Sequence, residues 1–217
     1  EIIVVDNGSD IPARNVLDKE GFEDLRLIHL EDDMGYDVAA HTGYAAPKAP
    51  LVLVSNTDIL FLPKSISRLV ETIKEKNVAA VGPRYWWDRE LNLQLYPTMS
   101  EDKDRIEADV KAFRDKVWPS HSLRWQKKML EYWQASEPVD VTTLNGACLL
   151  VRRTAIDDSG GLFDPAFFLY YEDTDLSMRA INSGYRLRHE PRACVVHFYN
   201  QSRCKDIPEQ MARSRRH

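Results

Sequence analysis

The sequence predicts an α/β fold, in which a Rossmann-like, mostly parallel central sheet is flanked by helices and carries one helical insertion. Two observations lead to this prediction. Apolar, β-branched segments of strand length alternate with helical stretches through the first half of the 217-residue chain, a pattern typical of parallel strands joined by crossover helices. Polar turns follow these strands, and such sheets bind ligands beyond the carboxyl ends of their strands.

The spacing of apolar residues defines the elements of the first half. Four short apolar runs predict strands at residues 2–5, 25–30, 51–54 and 78–81. Helices are predicted between them: a short one that ends near residue 20, an alanine-rich one over residues 36–46, and one after Pro63, which suits a first helical turn. The third helix has a helical apolar spacing, at Ile66, Leu69, Val70 and Ile73.

A charged helical segment from about residue 100 to residue 136 breaks the alternation. Its first helix carries an apolar stripe with spacings of 4, 3 and 4 residues, formed by Ile106, Val110, Phe113 and Val117. A second helix follows with the larger side chains Trp125, Met129, Tyr132 and Trp133. Two interpretations stay open: a hairpin packed on the core, or a lid that contacts a sugar or a membrane surface.

Composition places the chain among globular proteins and narrows its partners. A hydrophobic content of 43% and a charged content of 29% exclude disordered, collagen-like and coiled-coil chains, and the length suits one domain over residues 1–217. The net charge, 29 − 34 = −5, argues against a nucleic-acid partner, because phosphate binding requires a clustered basic surface. Three scattered cysteines favour a reducing, cytoplasmic compartment: Cys148, Cys194 and Cys204.

Two polar turns of the first half are candidate ligand sites. Asn56 and Asp58 follow a buried strand, and their side-chain oxygens suit a hard divalent ion that bridges a diphosphate. An ordinary polar turn is the alternative there. The turn that begins at Asp6 and Asn7 either caps the next helix or presents a carboxylate to a base or a ribose.

The second half offers a candidate general base. Five aromatic or aliphatic residues, 167–171, abut the acids Glu172, Asp173 and Asp175 at the start of a predicted helix. The acids either complement the helix dipole or include a carboxylate whose pKa is raised by the apolar wall, as a general base requires. His197 ends a strand and is either structural or completes a site with Asp58. The pair Trp86–Trp87 is suited either to packing within the protein or to forming a flat surface on which a sugar stacks.

Taken in order, these segments resemble the inverting family 2 glycosyltransferases of GT-A fold, and especially their rhamnosyltransferase-like branch. The matching segments are residues 5–10, 35–43, 55–58, 81–84, 145–153 and 161–186, together with His197. They extend over about residues 2–202, which is nearly the whole chain. The family begins with one more hydrophobic strand, ahead of the strand at residues 2–5 that leads into the Asp6 turn, and this chain starts one strand later. The resemblance therefore implies a GT-A domain whose first strand is missing here.

The resemblance also implies a role for each candidate residue. Asp6 reads the base of the donor, with Asn7 beside it. Asp58 stands at the last position of a DxD-type motif and binds Mn²⁺ or Mg²⁺, with Asn56 in place of the first acid. The set is completed by three residues of the second half: Asp173 as the base that deprotonates the acceptor, Glu172 on the acceptor side, and His197 near the metal or diphosphate.

The activity implied is transfer of a sugar, with inversion, from a nucleoside-diphosphate sugar of the dTDP-rhamnose or UDP-hexose class. The acceptor is expected to be a glycan or a lipid-linked intermediate of polysaccharide biosynthesis. Peripheral membrane association at the cytoplasmic face is a further expectation. The alternative is a non-catalytic module of a larger protein that binds a sugar nucleotide or a glycan. A nucleotidyltransferase is disfavoured, because the chain shows no glycine-rich, basic phosphate loop near its start.

Overall fold

A computed structural model describes residues 1–20, 25–95, 127 and 129–199. Its elements in chain order are β1 (Ile2–Asn7), α1 (Arg14–Glu20), β2 (Leu25–Leu30), α2 (Tyr36–Ala45), β3 (Leu51–Ser55), β4 (Ile59–Phe61), α3 (Ser65–Ile73), β5 (Val78–Trp86), β6 (Val139–Val141), β7 (Cys148–Arg152), α4 (Arg153–Asp158), α5 (Glu172–Asn182) and β8 (Arg186–His197). Residues 129–134 are also helical. The predicted strands and helices of the first half are all present, whereas β4 and α4 were not predicted. The sequence also predicts a strand pattern from residue 139 through residue 151, and the structure divides this segment into β6 and β7.

The described strands form two sheets. β1 and β2 pair in parallel, and the second sheet has the order β3-β7-β5-β8-β4, with β6 also paired to β8. In the second sheet β5 and β8 are parallel, while β3–β7, β5–β7, β4–β8 and β6–β8 are antiparallel. The α/β architecture is therefore as predicted, but the larger sheet is mixed. The sheet is mixed because β7 runs antiparallel to both of its neighbours, β3 and β5, and β8 runs antiparallel to β4 and β6.

Both faces of the larger sheet are covered, as the prediction of flanking helices requires. Successive strand residues point to opposite faces, and Leu149 and Val151 of β7 join one hydrophobic cluster while Leu150 joins the other. On one face α3 contributes the fully buried Leu69 and Ile73. The opposite face is covered by α4 and α5, through the buried residues Ala155, Ile156, Leu176 and Ala180.

Helix α2 connects the two sheets. It contacts β1 and β3, which belong to different sheets. Among the described strands, β1 pairs with β2 only and β3 with β7 only. The resemblance implies one more strand ahead of β1, and these pairings do not test that prediction.

The predicted helical insertion is described only in part. Its first helix and Trp125 lie outside the described residues, whereas Met129 and Tyr132 are buried, each with 8% exposure. Tyr132 belongs to the hydrophobic core, so this part of the segment packs as the first interpretation predicts. Within the described ranges, none of the helices combines the length and the apolar character that a membrane crossing needs.

Candidate functional site

The carboxylate of Asp6 organises the turn after β1. Asp6 is 3% exposed, and its two oxygens accept hydrogen bonds from the backbone N–H groups of Ser9 (3.2 Å) and Ala13 (2.9 Å). His29 Nδ1 lies 3.2 Å from Asp6 Oδ2. Burial by itself raises the pKa of Asp6, but these hydrogen bonds outweigh it and hold the pKa below its usual value. Asp6 is thus an ionised, nearly saturated acceptor with little capacity left for a base.

Asn7 ties the end of β1 to the loop before α2. Its side-chain amide donates to Asp33 Oδ1 (2.8 Å) and to the carbonyl of Gly35 (3.2 Å), and its side-chain oxygen accepts from the N–H of Met34 (3.0 Å). The side-chain amide and oxygen of Asn7, which were predicted to contact the donor, therefore hold this loop in place. Asn7 stays a predicted residue of the donor site, where its role would be to hold residues 33–35 in position.

Strand pairing brings Asp58 and His197 together. Because β4 pairs with the end of β8, Ile59 lies opposite His197, and the N–H of Phe198 donates to the carbonyl of Asp58 at 3.0 Å. His197 Nε2 then lies 3.3 Å from Asp58 Oδ1. Burial lowers the pKa of His197 despite the opposing charge of Asp58, so the imidazole is neutral near pH 7 and keeps a lone pair for a ligand.

These residues fit a divalent cation. Two side-chain atoms in this region are buried and make no hydrogen bond within the described ranges, Asn56 Oδ1 and His197 Nδ1, while Asp58 Oδ1 lies 3.3 Å from His197 Nε2. Carboxylate and amide oxygens suit Mg²⁺ or Mn²⁺, and imidazole nitrogen adds a ligand that Mn²⁺ accepts. The described part of the chain contains no cluster of three or more His, Cys, Asp or Glu side chains with metal-binding geometry. The remaining ligands of an ion here would therefore be phosphate oxygens and water.

Glu172 and Asp173 begin helix α5, and they differ in burial and in hydrogen bonding. Glu172 is 6% exposed, and its Oε2 has no hydrogen-bond partner among the described residues. Asp173 is half-buried, and its carboxylate accepts hydrogen bonds from the N–H of Gly146 (3.1 Å) and the hydroxyl of Thr174 (3.3 Å). Asp173 is therefore the better placed of the two to meet a substrate, and Glu172 is a buried neighbour.

Burial shifts the titration of this pair. It raises the pKa of Glu172 to about 8, and the charges of Asp173 and Asp37 add to the shift. Burial also raises the pKa of Asp173, although the hydrogen bonds from Gly146 and Thr174 oppose the rise. Near pH 7 we therefore expect Glu172 to hold its proton, and the raised pKa makes the Asp173 carboxylate a stronger base, which suits a general base.

Two neighbouring residues of α2 were missed by the sequence analysis. Tyr36 donates its hydroxyl to the carbonyl of Gly146 at 2.8 Å. Asp37 is fully buried, and neither of its side-chain oxygens has a hydrogen-bond partner within the described ranges. An acidic residue in the first turn of a helix indicates dipole complementation, so the sequence carried no signal for a buried carboxyl group beside the Glu172–Asp173 pair.

The loop at residues 145–147 joins the two halves of the site. The N–H of Gly146 donates to Asp173, while the carbonyl of Ala147 accepts from the N–H of Asn56 at 2.8 Å. A side chain on Gly146 would have its Cβ only 3.3 Å from Asp173 Cβ and from Glu172 Oε1. Residues that lie 117 positions apart, Asn56 and Asp173, are thus held by neighbouring peptide groups of one loop.

Comparison with known families agrees with this arrangement. The model of "Glycosyl transferase family 2" matches residues 1–160, and that of "Glycosyl transferase family group 2" matches residues 116–216. The first match covers well over half of the chain. The chain belongs to glycosyl transferase family 2. Family membership makes it a glycosyltransferase, so the prediction drawn from the motifs is confirmed.

Similar proteins include other glycosyltransferases. This family 2 chain is 29% identical, over 97% of its length and 70% of the relative's, to an N-acetylglucosaminyl-diphospho-decaprenol L-rhamnosyltransferase of Mycobacterium tuberculosis. It is 28% identical to a pre-mycofactocin glycosyltransferase of the same species, over 90% of this chain and 37% of the relative. The first similarity supports the predicted rhamnosyltransferase-like branch.

Solved structures confirm the GT-A fold of this family 2 chain. The structure of GalNAc-T7 with UDP, GalNAc and Mn²⁺ superposes with a TM-score of 0.62 at 13% identity, over 92% of this chain and 38% of the other. The mannosyltransferase PcManGT of Pyrobaculum calidifontis, in complex with GDP-Man and Mn²⁺, gives 0.61 at 16% identity, over 93% and 48%. The chain thus spans less than half the length of both proteins.

Proposed function

We propose that this glycosyltransferase transfers a sugar from a nucleoside-diphosphate sugar to an acceptor hydroxyl with inversion at the anomeric carbon. The observation that carries the proposal is the loop at residues 145–147, whose peptide groups hold Asp173 on one side and the Asn56 segment on the other. A candidate base and a candidate diphosphate site are therefore held by the same loop. The two solved relatives contain UDP or GDP-Man together with Mn²⁺, which supports a donor of this class.

On the donor side, Asp58, His197 and the amide oxygen of Asn56 would hold the divalent ion. When bound, such an ion neutralises charge that develops on the departing diphosphate. Asn56 Oδ1 and His197 Nδ1 are buried and lack hydrogen-bond partners among the described residues, which fits this use, because an unsatisfied buried polar group is costly unless a ligand completes it. Asp6 fixes the turn beneath the proposed nucleotide site through its hydrogen bonds to Ser9 and Ala13, and it is proposed to position that turn against the base of the donor.

On the acceptor side, Asp173 is the proposed general base. The acceptor oxygen forms the new bond to the anomeric carbon, the bond from that carbon to the diphosphate oxygen breaks, and the acceptor proton passes to the Asp173 carboxylate. Attack from the face opposite the leaving group inverts the configuration. With its pKa raised to about 8, Glu172 keeps its proton near pH 7, and the hydrogen bond from Gly146 orients the Asp173 carboxylate that is proposed to accept the acceptor proton.

Replacement of Asp173 tests the assignment of the base. We expect Asp173→Asn to lower kcat by at least about 100-fold, since general-base catalysis typically contributes that much, while nucleotide affinity measured by calorimetry stays within about twofold. The matched control is Asp175→Asn on the same helical turn, whose carboxylate pairs with Arg179 at 2.7 Å; it should retain transfer. Normal transfer by Asp173→Asn would remove Asp173 from this role. Nucleotide binding by the wild type without turnover of any donor would instead indicate a non-catalytic module.

The acceptor is proposed to be a sugar-bearing molecule of glycan biosynthesis, free or lipid-linked. The similarity to a protein named for rhamnosyl transfer to an N-acetylglucosaminyl-diphospho-decaprenol substrate supports this class. Transfer from dTDP-rhamnose, UDP-hexoses and GDP-mannose to soluble glycosides and to their lipid-linked forms, measured in parallel, would identify the donor and separate the two acceptor forms.

A further inference from the structure

Four aromatic rings form a row that leads outward from the candidate metal site. The ring centroids of Tyr85 and His197 lie 6.2 Å apart, those of His197 and Tyr199 are stacked at 3.8 Å, and those of Tyr199 and Trp87 are stacked at 5.0 Å. The row begins in the interior and ends at the surface, since His197 is 5% exposed and Trp87 is 48% exposed. An exposed stacked tryptophan beside a functional site points to a ligand.

Trp87 stands on a turn that is closed by hydrogen bonds. Its N–H donates to the carbonyl of Leu93 at 2.9 Å. The carboxylate of Asp88 accepts from the N–H groups of Asn92 (3.1 Å) and Leu93 (2.8 Å). The backbone that carries the tryptophan is therefore fixed before any ligand arrives, so that binding incurs a small loss of conformational entropy.

Tyr199 ties the row to the candidate metal site. The segment that carries it is anchored by the hydrogen bond from the N–H of Phe198 to the carbonyl of Asp58. Its ring is stacked on His197, whose Nε2 lies 3.3 Å from Asp58 Oδ1. A molecule stacked on these rings would therefore lie beside the space where the proposed transfer takes place.

We propose that the exposed side of the Trp87 indole, backed by the stacked ring of Tyr199, binds a pyranose ring of the acceptor; we call these two rings the Trp87–Tyr199 platform. This inference rests on the proposed function and names the part of the substrate that the surface recognises. A pyranose has an apolar C–H face and a rim of hydroxyl groups, and tryptophan and tyrosine likewise combine an apolar ring with a polar tip. A cation lies near the platform, because Arg89, two residues after Trp87, places its guanidinium 5.6 Å from the ring centroid of Phe198, the residue before Tyr199.

The direct test is an NMR titration that does not depend on turnover. The indole N–H resonance of Trp87, identified by its absence from Trp87→Phe, is followed as methyl pyranosides are added with and without UDP and Mg²⁺. We expect at least one pyranoside to shift this resonance saturably. We also expect Trp87→Ala to weaken that binding at least tenfold and Trp87→Tyr to keep it within about threefold. The control Ile66→Ala removes an apolar side chain of α3 that is 46% exposed, and it should leave binding and transfer unchanged.

In the active enzyme, Trp87→Ala should raise the acceptor KM at least tenfold while nucleotide affinity stays within twofold. Pyranoside affinity that is unchanged in Trp87→Ala would overturn the proposal, and so would an equal loss of nucleotide affinity, which would assign the rings to the donor. Loss of binding to phosphatidylcholine–phosphatidylglycerol vesicles, without an effect on pyranosides, would assign the platform to lipid and also overturn it. Failure of the proposed function is a separate outcome: the wild type would transfer no sugar, whatever the titration shows.

Discussion

At the scale of single residues, the most unusual group is the carboxyl of Asp37, which is fully buried and makes no hydrogen bond with the described residues. Burial raises its pKa to about 8, and the nearby acids Asp164, Asp173 and Asp175 add to the shift. In the unfolded chain the same group titrates near its usual value of about 3.9. The folded protein therefore holds a proton that the unfolded chain releases.

This difference makes stability depend on pH. Between about pH 4 and pH 8 the unfolded state binds fewer protons than the folded state, so the contribution of Asp37 to the free energy of unfolding falls as pH rises and is lost above its folded pKa. We expect Asp37→Asn, which stays neutral, to unfold in urea with a free energy higher than the wild type by on the order of 2 kcal/mol at pH 8. The gain should shrink towards pH 5. An equal difference at both pH values would show that ionisation of Asp37 is not its cause.

At the scale of elements, the site depends on how closely α2 approaches the segment before α5. Gly35, which precedes α2, has φ +88°, and a Cβ there would lie 2.8 Å from the carbonyl oxygen of Phe168. The same carbonyl accepts the N–H of Tyr36 at 3.0 Å. Only glycine meets both the left-handed backbone and the contact, and the contact brings Tyr36 and Asp37 to the acid pair.

Two alanine substitutions separate the cost of a left-handed backbone from the cost of the contact with Phe168. Gly184 has φ +85°, but a Cβ at this position would meet no described atom within 4 Å. Gly184→Ala should therefore cost about 1 kcal/mol of unfolding free energy, from the left-handed conformation alone. Gly35→Ala adds a collision with backbone and should cost about 3 kcal/mol. Urea unfolding of both variants measures the difference. Equal losses would mean that the contact with Phe168 adds nothing to stability.

At the scale of the whole molecule, the proposed site predicts a coupling between ligand and fold. A ligand that binds only the folded state stabilises it by about 2.7 kcal/mol at 100 times its Kd. For a chain of this size that corresponds to a rise in Tm of roughly 5–10 °C. We expect UDP or dTDP with Mn²⁺ to produce such a rise in thermal scans, and EDTA or Asp58→Ala to remove the part that depends on metal. A rise of the same size in EDTA would exclude a metal contribution from Asp58.

Prediction from sequence succeeded where the signal is local. The strands and helices of the first half were identified because apolar spacing fixes which face of an element is buried. The antiparallel pairing of β7 with β3 and β5 was not predicted, because no local pattern specifies which strand a segment will join. Residues 129–134 show the same limit: Met129 and Tyr132 were predicted to lie on a second helix, but their burial depended on tertiary packing.

By itself, the sequence determined the family and the chemical groups of the site: the Asn56–Asp58 turn after a strand, the acids that begin α5, and His197 at the end of β8. Only the tertiary structure decided which of these groups meet. Asp58 and His197 are 139 positions apart and become neighbours through the pairing of β4 with β8. The physical reason is that spacing along the chain fixes local geometry, whereas contacts between distant residues follow from strand register and loop packing. These also bury Asp37 and hold Asp173 on the N–H of Gly146.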